Sequence, residues 1–525
     1  MDNEDKRNLY LMVIVTTVVL FGWSYFFEKP RQAERQQIQT TTVDSGTSIP
    51  QMEPAKPLER EEALKQSKRI LIETPTLKGS FNLQGLKLDD VTLKNYRETP
   101  ESKSPQIALF NPLVSKTPYY GEFGWVSDKK TVKLPDTDTV WTADQSLLTP
   151  TQPVKLHWDN GEGLRFEVEI AVDENYLFSV TQRVLNQMKE PMAIQPYGLI
   201  SRHGMPQTSG FMILHEGPLG YLNNKLQEID YKDLKKGDQS QISQGGWLGF
   251  TDKYWLTAFV PDQAQEVKAS FRQVGQVAQE RYQVDFLMTT PLLQPGAVQE
   301  TKSSLFVGAK ILDLLDSYEN TLNVKHFDLA VDFGWFYFLT KPIFHILTFA
   351  HQWLGNFGLA IMLLTVLFKL LMFPLANKSY RSMAQMKRLT PQITRLRERY
   401  GDDKLRVNQE MMALYKKEKI NPMAGCLPMI VQIPVFFALY KVLFVSIEMR
   451  QAPFYGWIQD LSAPDPTSFF NLFGLIPWSP PSYLMIGIWP LLMGLSMFIQ
   501  QKLHPPPSDP AQAKVFMIMP VMFTF

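Results

Sequence analysis

The chain has 525 residues, 45% of them hydrophobic, and a formal net charge of +1, which allows several domains and excludes a uniformly basic or acidic protein. Its single cysteine, Cys426, excludes an intramolecular disulfide and any metal site built from several cysteines. The near-neutral total conceals a basic segment, because residues 376–420 hold twelve Lys or Arg and five Asp or Glu, a net charge of +7 that leaves −6 for the remainder.

The N-terminal region begins with an apolar run, Leu9 to Phe27, that is long enough to cross a bilayer. Bulky residues stand where a signal peptidase needs small ones, so residues 1–29 are predicted to be an uncleaved signal anchor. Residues 30–74 are polar, almost free of aromatic residues and without a period. This composition predicts a disordered tether.

Residues 75–325 show the short alternating runs that are typical of β-strands. Within 164–172 the apolar residues Leu164, Phe166, Val168, Ile170 and Val172 alternate with polar ones. The turn signal Asp159-Asn160-Gly161 precedes this run, so 154–172 is predicted to be a β-hairpin. Helical pattern is clear only near the end of the region, in Ile311 to Tyr318. An antiparallel β-sandwich is the expected fold.

Residues 326–356 are expected to be helical and to include an amphipathic helix at a membrane interface. The aromatic-rich stretch 333–354 is interrupted by Lys341, Pro342 and two histidines. Only Gly355-Asn356 separates it from the next apolar run, which is too little chain for a loop between antiparallel spans. A helix lying in the interface fits this pattern better than another span.

The remaining residues, 357–525, are expected to form an α-helical polytopic membrane core. Its predicted spans are 357–375, 427–447, 483–499 and 515–525. The last run ends after eleven residues, about 16 Å of helix, so we expect the native protein to continue beyond Phe525.

The basic segment also predicts the topology, because short loops rich in Lys and Arg stay in the cytoplasm. The span 357–375 then runs from outside to inside. The N-terminus is cytoplasmic, and residues 28–356 lie outside. In a double-membrane bacterium, this outside compartment is the periplasm.

Lys369 is the candidate functional residue of the first core span. A lysine at membrane depth costs roughly 2.5–3.5 kcal/mol on insertion scales, so an intramembrane cation indicates function. Thr365 shares its helix face, at i and i+4. Snorkelling of the Lys369 side chain to the interface is the alternative. Gln432 is a second polar group at membrane depth, and it serves either a groove or an interhelical hydrogen bond.

The basic segment contains a predicted helical hairpin, residues 391–418. Thr390-Pro391 is a helix-start signal, Gly401 a stop signal, and Asp402-Asp403 can cap a second helix. The cationic exterior suits lipid head groups, ribosomal RNA or an acidic receptor. A solvated loop that only sets topology is the alternative.

Motifs that carry catalysis or bind cofactors were not found. The sequence has no glycine-rich phosphate loop, HExxH motif, nucleophile elbow or EF-hand loop, and its seven histidines are scattered. We therefore expect no catalytic residues, no metal site and no cofactor.

Two long strings, GDDKLRVNQEMMALYKKEKINPMAGCLPMIVQIPVFFALYKVLF at 401–444 and VSIEMRQAPFYGWIQDLSAPDP at 445–466, resemble the YidC/Oxa/Alb family of membrane protein insertases. The order of elements across the whole chain is similar to the Gram-negative type, which has a large periplasmic domain. The resemblance implies a non-enzymatic insertase and chaperone of the bacterial inner membrane. Such an insertase is expected to move nascent membrane proteins into the bilayer, alone or with the Sec translocon.

The resemblance also implies roles for particular residues. Lys369 stands where the family has a cation, usually Arg, in a hydrophilic groove. Thr365, Gln432 and Ile433 match groove or substrate-contact positions. The hairpin 391–418 matches the segment that contacts the ribosome or a targeting receptor, and the mainly-β domain resembles a β-supersandwich. The candidate contact residues of the hairpin, which also suit anionic phospholipids, are Arg395, Arg397, Arg399, Lys404 and Arg406.

Two other classes of function remain open at this point. A secondary transporter would use Lys369 as an ion or substrate site, although no inverted repeat is visible. A membrane-tethered carbohydrate enzyme would place its activity in the β domain.

Overall fold

The computed structural model describes residues 58–524 except 130, 207, 209–213, 276–279, 335, 402, 419–426, 466, 477, 479–480, 482–484 and 504–509. The predicted signal anchor, most of the predicted tether and Cys426 lie outside these residues. The described chain divides into two compact units. The first, which we call the β unit, consists of residues 58–332 together with Val445–Ile447. The second, which we call the helical unit, consists of residues 333–444 and 448–524.

Among the described residues, nineteen strands of the β unit form two sheets. Their bounds are β1 Arg69–Glu73, β2 Leu77–Asn82, β3 Lys87–Arg97, β4 Gln106–Phe110, β5 Tyr119–Ser127, β6 Thr142–Ala143, β7 Leu147–Leu148, β8 Val154–Asp159, β9 Leu164–Val172, β10 Leu177–Asn186, β11 Ile194–His203, β12 Gly217–Leu222, β13 Lys225–Glu228, β14 Gln239–Gln244, β15 Trp247–Thr251, β16 Trp255–Pro261, β17 Glu266–Val274, β18 Arg281–Met288 and β19 Val298–Ala309. The described residues of this unit also form three α-helices: α1 Arg60–Leu64, α2 Tyr231–Leu234 and α3 Leu312–Thr321.

The first sheet has the order β14-β17-β18-β11-β5-β3-β2-β1-β7, with β4 also paired to β3, and the second has the order β13-β12-β15-β16-β19-β10-β9-β8-β6. The described pairings are antiparallel except that of β1 with β7, which is parallel. A core between two mainly antiparallel sheets confirms the predicted β-sandwich. The structure thus has a mainly-β domain followed by a helical part, as the predicted fold class states.

The predicted hairpin at 154–172 is confirmed. Residues of β9 alternate between buried and half-buried, and β9 pairs with β8 from Val154↔Ile170 to Asp159↔Arg165. The Asn160 side chain accepts hydrogen bonds from the backbone N–H groups of Glu162 and Leu164, at 2.8 and 2.9 Å. Gly161 supplies the positive φ, +76°, that the turn needs.

The sandwich core consists of apolar side chains from both sheets. Phe81, Leu88 and Phe123 of the first sheet share a small apolar gap with side chains of the second. The Phe259 ring makes edge-to-face contacts with the rings of Phe123 and Phe286, with centroids 5.3 and 5.1 Å apart. Such aromatic pairs add about 0.5–1.5 kcal/mol beyond area burial.

The predicted extent of the tether, 30–74, is wrong at its C-terminal end. Within it, α1 covers Arg60–Leu64 and β1 covers Arg69–Glu73, which joins the first sheet. Ile70 and Ile72 are buried in β1 whereas Leu71 is exposed. The polar composition of this region did not indicate the five-residue strand β1, because only two of the side chains of β1 are buried in the core.

Charged groups in the β unit are buried as pairs. Arg69 forms an ion pair with Asp89, and both side chains are almost fully buried. Lys87 Nζ lies 3.6 Å from Glu122 Oε2 in a similarly buried pair, and Tyr197 donates to the other oxygen of Glu122 at 3.1 Å. Burial raises the pKa of Asp89 although Arg69 opposes this. A buried charge requires such a partner because desolvation is otherwise too costly.

The helical unit contains α4 Tyr337–Leu354, α5 Phe357–Tyr400, α6 Lys404–Lys417, α7 Leu427–Val445, α8 Ile488–Leu503 and α9 Pro510–Thr524. Among the described residues, α5 is the one helix that is both long and apolar enough to cross a membrane. Part of α7, Ile430–Val445, is apolar but shorter. Among the described helices of this unit, the pairs that pack against each other most extensively are α4 with α5, α8 with α9, and α5 with α6.

The predicted helix start at Thr390-Pro391 is wrong, because α5 continues from Phe357 to Tyr400 through both Pro374 and Pro391. A proline inside a helix costs about 3 kcal/mol. A break would instead leave four carbonyls of one helix and four N–H groups of the next without intrahelical partners. The hairpin is therefore the C-terminal end of one long helix followed by α6.

Two other predicted spans differ from the helices in their bounds. The helix predicted at 483–499 is α8, Ile488–Leu503, and it starts later because Pro490 fits the first turn, where no intrahelical donor is needed. The run predicted to begin at 515 belongs to α9, which starts at Pro510, the favoured first position for proline.

Candidate functional site

Lys369 and Thr365 lie one turn apart on the exposed side of α5. The buried positions of this part of the helix are Phe357, Gly358, Ala360 and Leu364. Lys369 is five positions after Leu364, which places it about 140° around the helix axis. Both side chains are exposed, and together they form a polar strip at this level of the helix.

The polar strip is surrounded by exposed apolar side chains. Met362, Val366, Leu370 and Phe373 are 57, 53, 65 and 64% exposed. In water such a surface is unfavourable, whereas in a bilayer it is the lipid-facing surface of a span. Lys369 is thus a cation on an apolar surface.

The two polar groups of the strip differ in their hydrogen bonding. The Thr365 hydroxyl donates to the carbonyl oxygen of Ile361 at 2.8 Å, a bond within the helix. No described residue forms a hydrogen bond or ion pair with the Lys369 ammonium. The positive charge is consequently available to a group outside this part of the chain.

Gln432 and Ile433, the other predicted groove residues, lie on α7. Gln432 is half-buried and Ile433 is 49% exposed. Ala438 and Val442 form the buried side of this helix. Between described residues, no hydrogen bond connects the Gln432 side chain with the polar strip. Gln432 and Ile433 are neighbours on α7, as Thr365 and Lys369 are on α5.

The N-terminal end of α5 contains residues that sequence reasoning missed. The Asn356 side chain caps the helix by accepting from the backbone N–H of Leu359 at 3.2 Å, and it donates to the Pro453 carbonyl at 3.3 Å. Gly358 lies directly against the ring of Phe454, where a Cβ would collide. An asparagine followed by a glycine in the first turn was the available signal, and it ties α5 to the loop after α7.

The second helix of the hairpin is capped as the sequence predicts. Asp403 accepts from the backbone N–H of Arg406 at 3.0 Å and so begins α6. The guanidinium groups of Arg399 and Arg406 lie 5.6 and 5.4 Å from the centre of the Tyr400 ring. These cation–π contacts gather positive charge at the tip.

Most of the predicted contact residues of the hairpin are accessible. Arg395, Arg399 and Arg406 are exposed, and Arg397 is half-buried. The side chain of Lys404 lies outside the described part of the chain. Burial raises the pKa of Tyr415 on α6, while the charge of Arg397 opposes this effect, so these two groups lie near each other.

Comparison with known proteins covers nearly the whole chain. A family model described as the YidC periplasmic domain matches residues 69–346, and one described as the 60Kd inner membrane protein matches residues 349–525. A protein named membrane protein insertase YidC from Rickettsia bellii is 49% identical over 99% of this chain and 94% of its own. A protein of the same name from Beijerinckia indica is 50% identical over 99% of this chain and 91% of its own.

The chain is also similar to solved structures over part of its length. A galactose mutarotase related enzyme from Lactobacillus acidophilus matches with a TM-score of 0.31 and 9% identity, over 46% of this chain and 97% of its own. A putative aldose 1-epimerase from Escherichia coli K12 matches with a TM-score of 0.31 and 10% identity, over 46% of this chain and 99% of its own.

Proposed function

The chain belongs to the family of YidC membrane protein insertases, and we propose that it inserts nascent membrane proteins along the polar strip formed by Lys369 and Thr365. As a member of this family it is an inner-membrane protein whose substrates are nascent membrane proteins. The observation that carries the proposal is the exposure of Lys369 on an apolar helix surface, without a described partner.

The charge of Lys369 acts on the polar tail of the substrate. An acidic residue about 6 Å from the ammonium gains roughly 3 kcal/mol at an effective dielectric constant of 20. This attraction offsets part of the cost of moving the tail to membrane depth. Because a lysine ammonium is a point charge rather than a planar fork, the attraction does not depend on bidentate carboxylate geometry.

Gln432 and Ile433 provide the second side of the substrate path in this proposal. The half-buried Gln432 amide offers both a donor and an acceptor to a passing backbone. The exposed Ile433 side chain gives the substrate helix an apolar contact before it reaches lipid. In this proposal the path is polar where the substrate's tail passes Gln432. It is apolar at Ile433, where the substrate's helix moves into lipid.

The insertion step does not require a chemical reaction. Transfer of an apolar helix from water to lipid yields roughly 25 cal/mol per Å² of buried surface. A helix of 20 residues has enough apolar surface to drive its own release from the polar strip. We therefore infer a non-catalytic insertase that also assists folding, rather than a transporter or a carbohydrate enzyme.

The hairpin serves as the docking point for cytoplasmic partners. Its exposed guanidinium groups suit the ribosome, a targeting receptor and anionic phospholipids, all of which present negative charge. The Sec translocon is a further partner for substrates that this chain does not insert alone. Arg399 and Arg406 are the contact residues that we propose first, because they flank Tyr400 at the tip.

The proposed topology follows the distribution of charge. The basic hairpin is cytoplasmic, the N-terminus is cytoplasmic, and residues 28–356 are periplasmic. In this arrangement α4 lies at the periplasmic interface. It has an exposed apolar side that includes Phe338, Phe349 and Trp353.

Site-specific photocrosslinking to ribosome-bound nascent chains tests the substrate path. A photoreactive residue at position 432 should crosslink to a nascent single-span protein. The matched control is position 430, because Ile430 is 54% exposed and lies about 160° around α7 from Gln432. Equal crosslinking from both positions, or crosslinking from 430 alone, would exclude the proposed path.

A further inference from the structure

A short segment between α7 and α8, Phe469–Trp478, exposes a dense set of apolar side chains. We call its described residues the outer turn. Its exposed fractions are 58% for Phe469, 42% for Phe470, 50% for Leu472, 43% for Phe473, 84% for Leu475, 44% for Ile476 and 49% for Trp478. A patch of this kind on a loop is unfavourable in water and indicates a contact.

The surrounding sequence also lacks charge. Residues 466–501 contain no Asp, Glu, Lys, Arg or His. Among the described residues of this stretch, the α-helix is α8, which begins at Ile488. The sixteen residues of α8 span about 24 Å, which is less than the roughly 30 Å of a hydrocarbon core. Described uncharged residues before α8 can cover the remaining thickness.

The outer turn lies next to the beginning of α8. The backbone N–H of Phe469 donates to the Ile486 carbonyl at 3.4 Å, two residues before the helix. Trp457, in the same loop, stacks with Trp489 in the first turn of α8 at 6.5 Å. Tryptophan is enriched where protein passes from lipid to water. The outer turn thus reaches the end of a lipid-facing helix.

The backbone of the outer turn satisfies many of its own polar groups. The Ser468 carbonyl accepts from the N–H groups of Asn471 and Phe473, at 3.3 and 2.8 Å, and Ile476 donates to the Asn471 carbonyl at 3.1 Å. A reciprocal capping box joins the side chains of Ser468 and Asn471 to the backbone. Backbone at membrane depth must be satisfied in this manner.

We propose that the outer turn inserts its apolar side chains into the outer leaflet, at the boundary between head groups and acyl chains. The assignment to the outer leaflet rests on the proposed topology, whereas contact with lipid rests only on the observations above. The turn combines exposed aromatic and aliphatic side chains, absence of charge and an internally bonded backbone. The segment is a membrane anchor separate from the spans and from the polar strip.

Depth-dependent fluorescence quenching in the full chain tests this proposal. With Cys426→Ser as background, Leu475→Cys is labelled with an environment-sensitive fluorophore and reconstituted in phosphatidylcholine–phosphatidylglycerol vesicles. Lipids carrying a nitroxide near the head group should quench this label several-fold more than aqueous iodide does. Ile476→Cys provides a second site in case the first variant folds poorly.

Ala463→Cys is the matched control, because Ala463 is an exposed small residue of the same loop outside the outer turn. Its label should be quenched by iodide and little by the lipid nitroxides. Iodide quenching at 475 and 476 equal to that at 463 would overturn the proposal. Shielding from both quenchers would also overturn it, since a protein surface would then cover the turn. Neither outcome concerns insertion, so the proposed function would stand.

Discussion

Two ion pairs of the β unit and Lys369 of the helical unit place charge in opposite surroundings. In the β unit, Arg69 with Asp89 and Lys87 with Glu122 are buried as pairs. In the helical unit, Lys369 is exposed on an apolar surface, and no described residue pairs with it. A domain in water buries a charge only with a partner, whereas a span in lipid can keep a costly charge for a substrate. Buried pairs therefore indicate architecture, whereas the exposed Lys369 is the residue for which we propose a function.

Removing one member of a buried pair should have the largest effect on stability. Arg69→Ala leaves Asp89 buried without its cation, and we expect a loss of about 3–5 kcal/mol. Native-state hydrogen exchange of β1 to β3 in the full chain measures this loss. The control is Arg183→Ala, because Arg183 pairs with Glu300 and Glu169 in a more exposed position. That change should cost less than about 1 kcal/mol, and equal losses would contradict the comparison.

The pH dependence of the β unit should show the next largest effect. Burial, together with the nearby Arg281, lowers the pKa of His203 from 6.5 to about 4. The folded state therefore favours neutral His203, and its contribution is fully present above pH 6.5 and is lost as the pH falls towards 4. We expect a loss of about 2 kcal/mol over this range.

Hydrogen exchange of β11 and β18 at several pH values tests the role of His203. The variant His203→Gln should be less sensitive to pH between 6.5 and 4 than the parent chain. An unchanged pH profile in the variant would assign the loss of stability to other groups.

A change of charge at position 369 should alter function and not stability. For a single-span substrate with an acidic translocated tail, Lys369→Glu should reduce insertion about tenfold, which corresponds to about 1.4 kcal/mol. Lys369→Arg should retain insertion, and a substrate with a neutral tail should be nearly insensitive. Protease protection of reconstituted substrate measures the fraction inserted. Equal insertion of the acidic substrate by the parent chain and Lys369→Glu would remove the electrostatic role.

The smallest effect is expected for an exposed cap in the hairpin. Asp403→Ala removes the side chain that accepts from the backbone N–H of Arg406 and should destabilise α6 by about 1 kcal/mol. Amide exchange in Lys404–Lys417 should accelerate roughly fivefold while α5 is unaffected. Glu410→Ala, within the same helix, is the control. Equal acceleration in both variants would show that the cap does not stabilise α6.

The sequence predicted the fold best in segments where a single local pattern, such as alternation of apolar and polar residues, pointed to one structure. The alternation from Leu164 to Val172 indicated a strand with one buried face, and β9 has that pattern. The strand Arg69–Glu73 was missed because its two buried isoleucines were outweighed by polar neighbours. Pro391 was misinterpreted because a proline that favours a helix start is also tolerated inside a helix that continues on both sides.

The candidate site was predictable in part. A charge in an apolar run identified Lys369, and helical spacing joined Thr365 to it. The exposure of that side of α5 depends on which helices pack against it, which periodicity does not specify. Asn356 and Gly358 were missed because their contacts, with Pro453 and Phe454, are formed across about a hundred residues of chain.

The length of α5 gives the hairpin a mechanical connection to the outer end of the helical unit. Forty-four residues at 1.5 Å each make a rod of about 66 Å, roughly twice the hydrocarbon thickness. Asn356 and Gly358 hold one end of this rod against the loop at Pro453 and Phe454. A tilt of about 5° around that pivot moves the far end by about 6 Å, with Pro374 as a point where the rod can flex. A partner that pulls on the tip thereby shifts Lys369 by only a fraction of that distance.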